Sequence, residues 1–116
     1  MMKKTNKKIV FFIGARGGSK GLLNKNLKKI KNKSLISITI DQIKKSKFYT
    51  EIIVSSDSRK IIEEARKNKV DFIIKRPKNL SSSTAPKFDV WKHAIKLYEK
   101  SSGNNIDLLV DLDCTN

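Results

Sequence analysis

Four short apolar runs, set apart by segments of helical spacing, constrain this chain more than any other feature. Residues 8–14, 52–54, 70–74 and 106–112 are rich in β-branched, aromatic and leucine residues, and polar or glycine-bearing stretches bound them. That pattern reads as buried strands. Between them, Leu35, Ile36, Ile38, Ile40 and Ile43 predict a helix near 34–47, with Asn32 or Ser34 at its start. Ile61, Ile62 and Ala65 predict the inward side of a second helix near 58–68, capped by Asp57 or Ser58. Phe88, Trp91, Ala94 or Ile95, and Tyr98 recur every three to four residues and predict one core-facing side of a third helix near 87–101. The order βαβαβαβ makes this an α/β chain. It implies a parallel sheet with right-handed crossovers and helices on both faces. Ligands of such sheets bind beyond the carboxyl ends of the strands. The loop after the first strand, Asp57, the 75–86 loop and Asp111–Asp113 all fall there. Residues 1–7 read as a disordered basic lead, and 8–116 as the N-terminal part of one domain, without internal repeats.

The charge is uneven. The 116 residues carry 26 Lys and Arg against 11 Asp and Glu, a formal charge of +15. Of these, 14 cations and one acid, Asp41, lie in residues 1–50. Such an excess favours a polyanionic partner. Most lysines read as solvated surface. No apolar run approaches the ~18 residues of a membrane span. The short N-terminal apolar run is followed by polar sequence, unlike a signal peptide. Cys114 is the only cysteine, so neither an internal disulfide nor a cysteine zinc site is available. A cytoplasmic protein without a membrane anchor is the expectation.

Ala15-Arg16-Gly17-Gly18-Ser19-Lys20-Gly21 follows the first strand and leads to Asn24-Lys25-Asn26-Leu27. Glycines let a backbone turn tightly and approach a ligand, and successive N–H groups can converge on an anion. Arg16 and Lys20 lie inside that turn, and a purely structural turn does not require them. The loop therefore reads as a cradle for phosphates. Neither the Walker A spacing nor G-x-G-x-x-G is present. Gly18-Ser19-Lys20-Gly21 does fit the G-x-x-G of KH-type RNA-binding modules, and an RNA-binding module stands as the alternative.

The glycine loop with Lys25-Asn26-Leu27 resembles the signature of the acylneuraminate cytidylyltransferases, the CMP-sialic acid synthetases. Three further pieces agree in order: Ile53-Val54-Ser55-Ser56-Asp57-Ser58, Lys75-Arg76-Pro77-Lys78-Asn79-Leu80, and Asp89-Val90-Trp91-Lys92-His93-Ala94. The resemblance runs from about residue 8 to 116. It is nearest the bacterial branch that acts on legionaminic or pseudaminic-type acids. It implies a Rossmann-like sheet of the nucleotide-diphospho-sugar transferase (GT-A-like) type. It also implies a reaction in which the anomeric hydroxyl of a nine-carbon 2-keto sugar acid attacks the α-phosphate of CTP. CMP-sugar and pyrophosphate result, with Mg²⁺ assisting, in a homodimer and without a specific nucleic-acid partner. By resemblance, Ala15, Arg16, Gly17, Gly18, Ser19, Lys20, Lys25, Asn26 and Arg76 bind the nucleotide. Arg16 and Lys25 are the catalytic candidates, Lys25 on the departing pyrophosphate. Lys87 and Asp113 are the sugar-binding candidates.

Two positions depart from the family pattern, which often has Ser where Lys87 stands and Gln where Asp113 stands. Asp111 and Asp113 are two apart on one face of the fourth strand and form a candidate metal pair, while the family's own metal aspartates lie beyond Asn116. His93 reads as a packing residue, Trp91 and Phe88 as core, and Cys114 as an inert thiol. Because residue 116 follows the fourth strand directly, the sheet reads as truncated, with Leu108, Leu109 and Leu112 partly exposed.

Overall fold

The first apolar run, dense in residues that suit a pleated buried surface, forms strand β1, Ile9–Ala15. The structure is a computed structural model that describes residues 8–15, 29–30, 33–47, 51–81 and 85–112. After β1 come a short hairpin, β2 (Lys29–Ile30) and β3 (Lys33–Ser34), and helix α1, Leu35–Lys44. Strand β4 (Glu51–Ser56), helix α2 (Arg59–Lys67), strand β5 (Phe72–Lys75) and a 3₁₀ turn (Lys78–Leu80) follow. Helix α3 (Lys87–Ser102) and strand β6 (Leu108–Leu112) complete the described chain.

Strands β5, β4, β1 and β6 lie in that order in one parallel sheet. Alternation along β1 divides the core in two. Ile13 and Ala15 join Ile36, Ile40, Ile43, Ile52, Val54, Ile61 and Ala65 on the α1/α2 face. Val10 and Phe12 join Ile53, Ile74, Val90, Ala94 and Tyr98 on the α3 face. Helices thus cover both faces, as the order of elements implied.

Local signals set the ends. Ser58 is the α2 cap, its Oγ accepting from the Ile61 N–H at 3.3 Å. Asn68 closes α2 and ties it to α1. Its Nδ2 donates to the Glu64 carbonyl at 2.8 Å, and its Oδ1 accepts from Ser37 Oγ at 2.9 Å. Helix α3 ends at Gly103, whose φ of 75° lies in the left-handed region where a Cβ is penalised. At the amino ends of the strands, acids occupy backbone donors. Asp71 Oδ2 accepts from the Ile52 N–H and Asp107 Oδ2 from the Lys8 N–H, both at 2.8 Å.

Residues 29–30 and 33–34 form the β2–β3 hairpin, which no sequence period announces because two-residue strands carry none. Two expectations need correction. Helix α1 is shorter than 34–47. Phe88 is not core: it is 63% exposed, with Lys92 Nζ 5.4 Å from its ring centroid. The buried stripe of α3 is Val90, Ala94 and Tyr98. At about 100° per residue, Phe88 lies roughly 120° from the centre of that stripe. Trp91, nearer it, packs partly against the core. Leu108 is 53% exposed on the edge strand, while Leu109 and Leu112 are partly buried.

Candidate nucleotide site

The strand order places a site before any side chain is considered. The chain builds outward from β1 through β4 to β5, then returns through α3 to set β6 on the other side of β1. Strand order therefore reverses at β1, with β4 on one side of it and β6 on the other. Ligands of open α/β sheets bind beyond the carboxyl ends of the strands at such a switch point. Ala15, buried at the end of β1, stands at that edge and is where the sequence enters the glycine loop.

Arg76 is the best-defined charged group at this edge. Pro77 restricts the residue before it to extended backbone, so Arg76 continues the direction of β5. Its N–H donates to the Ser56 carbonyl at 2.8 Å, which lengthens the ladder by one residue. Alternation then turns Arg76 to the same side as the buried Ile74, leaving Lys75 exposed between them. The result is an arginine only 8% exposed. Its Nε donates to Ser55 Oγ at 3.0 Å, and its Nη2 donates to the Ser55 carbonyl at 3.1 Å. Gly14, which pairs in register with Ser55, leaves the space it occupies. A Cβ built on Gly14 would lie 2.7 Å from Nη2 and 3.0 Å from Phe12 Cε2. Arg76 is thus a seated cation and not an exposed loop cation.

Lys87 and Asp111 meet one strand away. Lys87 Nζ lies 2.8 Å from Asp111 Oδ2, joining the first turn of α3 to β6. Asp111 is in register with Phe12, on the same α3-facing side as Gly14, Ser55 and Arg76. The ammonium is largely solvated while the carboxylate is partly buried, and screening on the lysine side keeps the pair's contribution to about 1 kcal/mol or less. Its larger effect is on charge: a carboxylate expected as a metal ligand is matched by an ammonium. Among the described residues no group of three His, Cys, Asp or Glu could hold a metal ion. The described residues do not by themselves fit a metal centre.

The structure therefore brings Ala15, Arg76, Lys87 and Asp111 to one edge of the sheet. Arg16, Gly17, Gly18, Ser19, Lys20, Lys25, Asn26 and Asp113 lie outside the described residues. His93 is partly buried on α3, and its Nδ1, like Trp91 Nε1, is buried without a hydrogen-bond partner among the described residues. Sequence reasoning missed Gly14 and Ser55. Their signal was a glycine ending a buried strand and a serine ending its neighbour, but only the register shows that they face each other beneath Arg76.

Comparison with known proteins agrees with this geometry. A family model described as cytidylyltransferase matches residues 10–105. The chain belongs to the cytidylyltransferase family. Among relatives, post-translational flagellin modification protein B of Campylobacter coli is 39% identical over 107 residues, covering 92% of this chain and 46% of that protein. CMP-N,N'-diacetyllegionaminic acid synthase of Campylobacter jejuni is 35% identical over 107 residues, with the same coverage of 92% and 46%. N-acylneuraminate cytidylyltransferase of Escherichia coli is 37% identical over 91 residues, covering 78% of this chain and 22% of that protein. The chain spans less than half the length of each. Among solved structures, a cytidylyltransferase from Leptospira borgpetersenii aligns with a TM-score of 0.70 at 24% identity, covering 94% of this chain and 42% of that one. CMP:2-keto-3-deoxy-manno-octonic acid synthetase aligns with a TM-score of 0.66 at 21% identity, covering 93% and 40%. Those two likenesses establish the cytidylyltransferase fold.

Proposed function

We propose that this cytidylyltransferase activates a nonulosonic, sialic-type acid with CTP. The anomeric hydroxyl oxygen of the sugar acid bonds to the α-phosphorus and gives up its proton to solvent, the bond from that phosphorus to the bridging oxygen breaks, and pyrophosphate leaves. The observation that carries the reading is the family match over residues 10–105, which takes in the glycine loop and Arg76 together. The names of the relatives, legionaminic acid synthase and N-acylneuraminate cytidylyltransferase, support the sugar class. They favour this reading over the KH-like one.

In this reading the Ala15–Gly21 loop donates N–H groups to the triphosphate, with Arg16, Ser19, Lys20 and Asn26 beside it. Lys25 stabilises the charge that develops on the leaving pyrophosphate, the term that dominates such transfers. Arg76 lies on the nucleotide side. Lys87 and Asp113 face the sugar acid. Mg²⁺ belongs to the proposal as countercharge on the phosphates. A cytoplasmic homodimer completes it.

Titration calorimetry on a chain of the relatives' length tests the nucleotide half. CTP should bind more tightly than ATP or GTP, and single-stranded RNA should bind only through charge, with affinity that falls as salt rises. Equal affinity for all nucleotides, or salt-resistant sequence-selective RNA binding, would overturn the reading.

A further inference from the structure

We infer that Gly14 and Ser55 are positioning residues whose task is to seat the Arg76 guanidinium at the carboxyl edge of the sheet, ready for the nucleotide. The inference rests on the function proposed above and adds to it how one binding group is held. Three strands contribute. β5, extended by Pro77, delivers the side chain. β4 supplies both acceptors, the Ser55 hydroxyl at 3.0 Å from Nε and the Ser55 carbonyl at 3.1 Å from Nη2. β1 supplies the space, because only a residue without Cβ leaves Nη2 where it is. Phe12 closes the slot from below: its ring is 1% exposed and would lie 3.0 Å from the same Cβ, so neither neighbour yields without cost.

The arrangement has a physical consequence. A free arginine gives up rotamer entropy when it is ordered. Here the fold meets that cost before any ligand arrives, which raises affinity by preorganisation. A guanidinium is a planar fork, so fixing Nε and Nη2 also fixes the plane in which its other donors lie. Ser55 is fully buried and cannot itself reach solvent or ligand. It acts on the nucleotide through Arg76.

The test is nitrogen-15 NMR of the arginine Nε–H signals in a chain of the relatives' length, followed through a CTP titration of the same samples. The wild-type chain should show one slowly exchanging Arg76 Nε–H signal, identified by its loss in Arg76→Lys. Ser55→Ala should abolish its protection and weaken CTP binding about tenfold, a loss of the order of one charge-assisted hydrogen bond. Gly14→Ala should shift the signal and weaken CTP binding in the same direction. Ser55→Thr, which keeps the hydroxyl, should restore both. In an Arg76→Ala background, Ser55→Ala should change CTP affinity no further. Melting curves identify any variant that has lost its fold, and the remaining variants then carry the test. If Ser55→Ala releases the signal yet leaves CTP affinity unchanged, or if Ser55→Ala and Arg76→Ala act additively, the inference is wrong. If the wild-type chain shows no preference for CTP, the proposed function falls instead, and the NMR signal still reports on the seat.

Discussion

At the scale of single residues, the site separates a seated cation from cations in the glycine loop. Arg76 is held by Ser55 and Gly14, whereas Lys25 and Arg16 were assigned from sequence and lie outside the described residues. Lys25→Ala should reduce kcat with little change in CTP affinity, because a charge acting on the leaving group matters most in the transition state. The loss should be roughly 2–4 kcal/mol in activation free energy, the range for one lost transition-state donor. Arg16→Ala should weaken CTP binding and rate together. Steady-state kinetics of the two variants check both roles, and unchanged rates would remove them. Arg76 shows how much a sequence can carry at this scale. The Arg-Pro pair marked the residue as a nucleotide contact through the family resemblance. Its burial depends on β5 continuing one residue past its ladder and on a glycine 62 positions earlier, and no local pattern contains both.

At the scale of elements, the strands and helices were legible because their periods are strong, and the misreadings arose where a period is absent or ambiguous. Phe88 shares a three-to-four spacing with Trp91, yet α3 turns its face toward Val90, Ala94 and Tyr98, which also satisfy i, i+4, i+8. Both stripes fit the residues; packing on Ile53 and Ile74 selects one. Tyr98 then anchors α3 at the amino end of the sheet. Its hydroxyl donates to Glu51 Oε1, the other oxygen of that carboxylate lies 3.5 Å from Lys8 Nζ, and its ring meets Phe72 edge-on at 5.7 Å. Burial first, and then the Glu51 contact, push the Tyr98 pKa up to about 12. The folded state therefore favours the neutral phenol. Stability from this group is complete below the ordinary tyrosine pKa of about 10 and is lost as pH rises toward about 12. Tyr98→Phe should lower stability by about 1.5–3 kcal/mol near neutral pH, as for a hydrogen bond to a charged acceptor. It should also remove that alkaline component, which denaturant melts at stepped pH will show. Gly103→Ala should cost about 1 kcal/mol by forcing a Cβ into the left-handed region, read from the same melts.

At the scale of the molecule, the path β1–β4–β5 and the return to β6 decide where chemistry can occur. Acids gather at the amino ends of the strands, where Asp71 and Asp107 accept backbone donors. Arg76 and Lys87 stand at the carboxyl edge, beside the start of the glycine loop. The sequence order of elements was enough to place the carboxyl ends of β1, β4, β5 and β6 at one edge. It could not show that β6 lies beside β1, which makes the switch point, or that Lys87 already pairs with Asp111. That ion pair leads to a further expectation. The 116 residues alone should bind CTP weakly and release no pyrophosphate, because Lys87 matches Asp111 and the chain spans less than half the length of its relatives; robust turnover would show that Asp111 exchanges Lys87 for a metal. The most direct measurement is pyrophosphate release by a chain of the relatives' length, supplied with Mg²⁺, each nucleoside triphosphate and a panel of nonulosonic acids. The account predicts release with CTP and a nonulosonic acid together, and none when either is omitted or when ATP or GTP replaces CTP. Release that ignores the base or needs no sugar acid would contradict it.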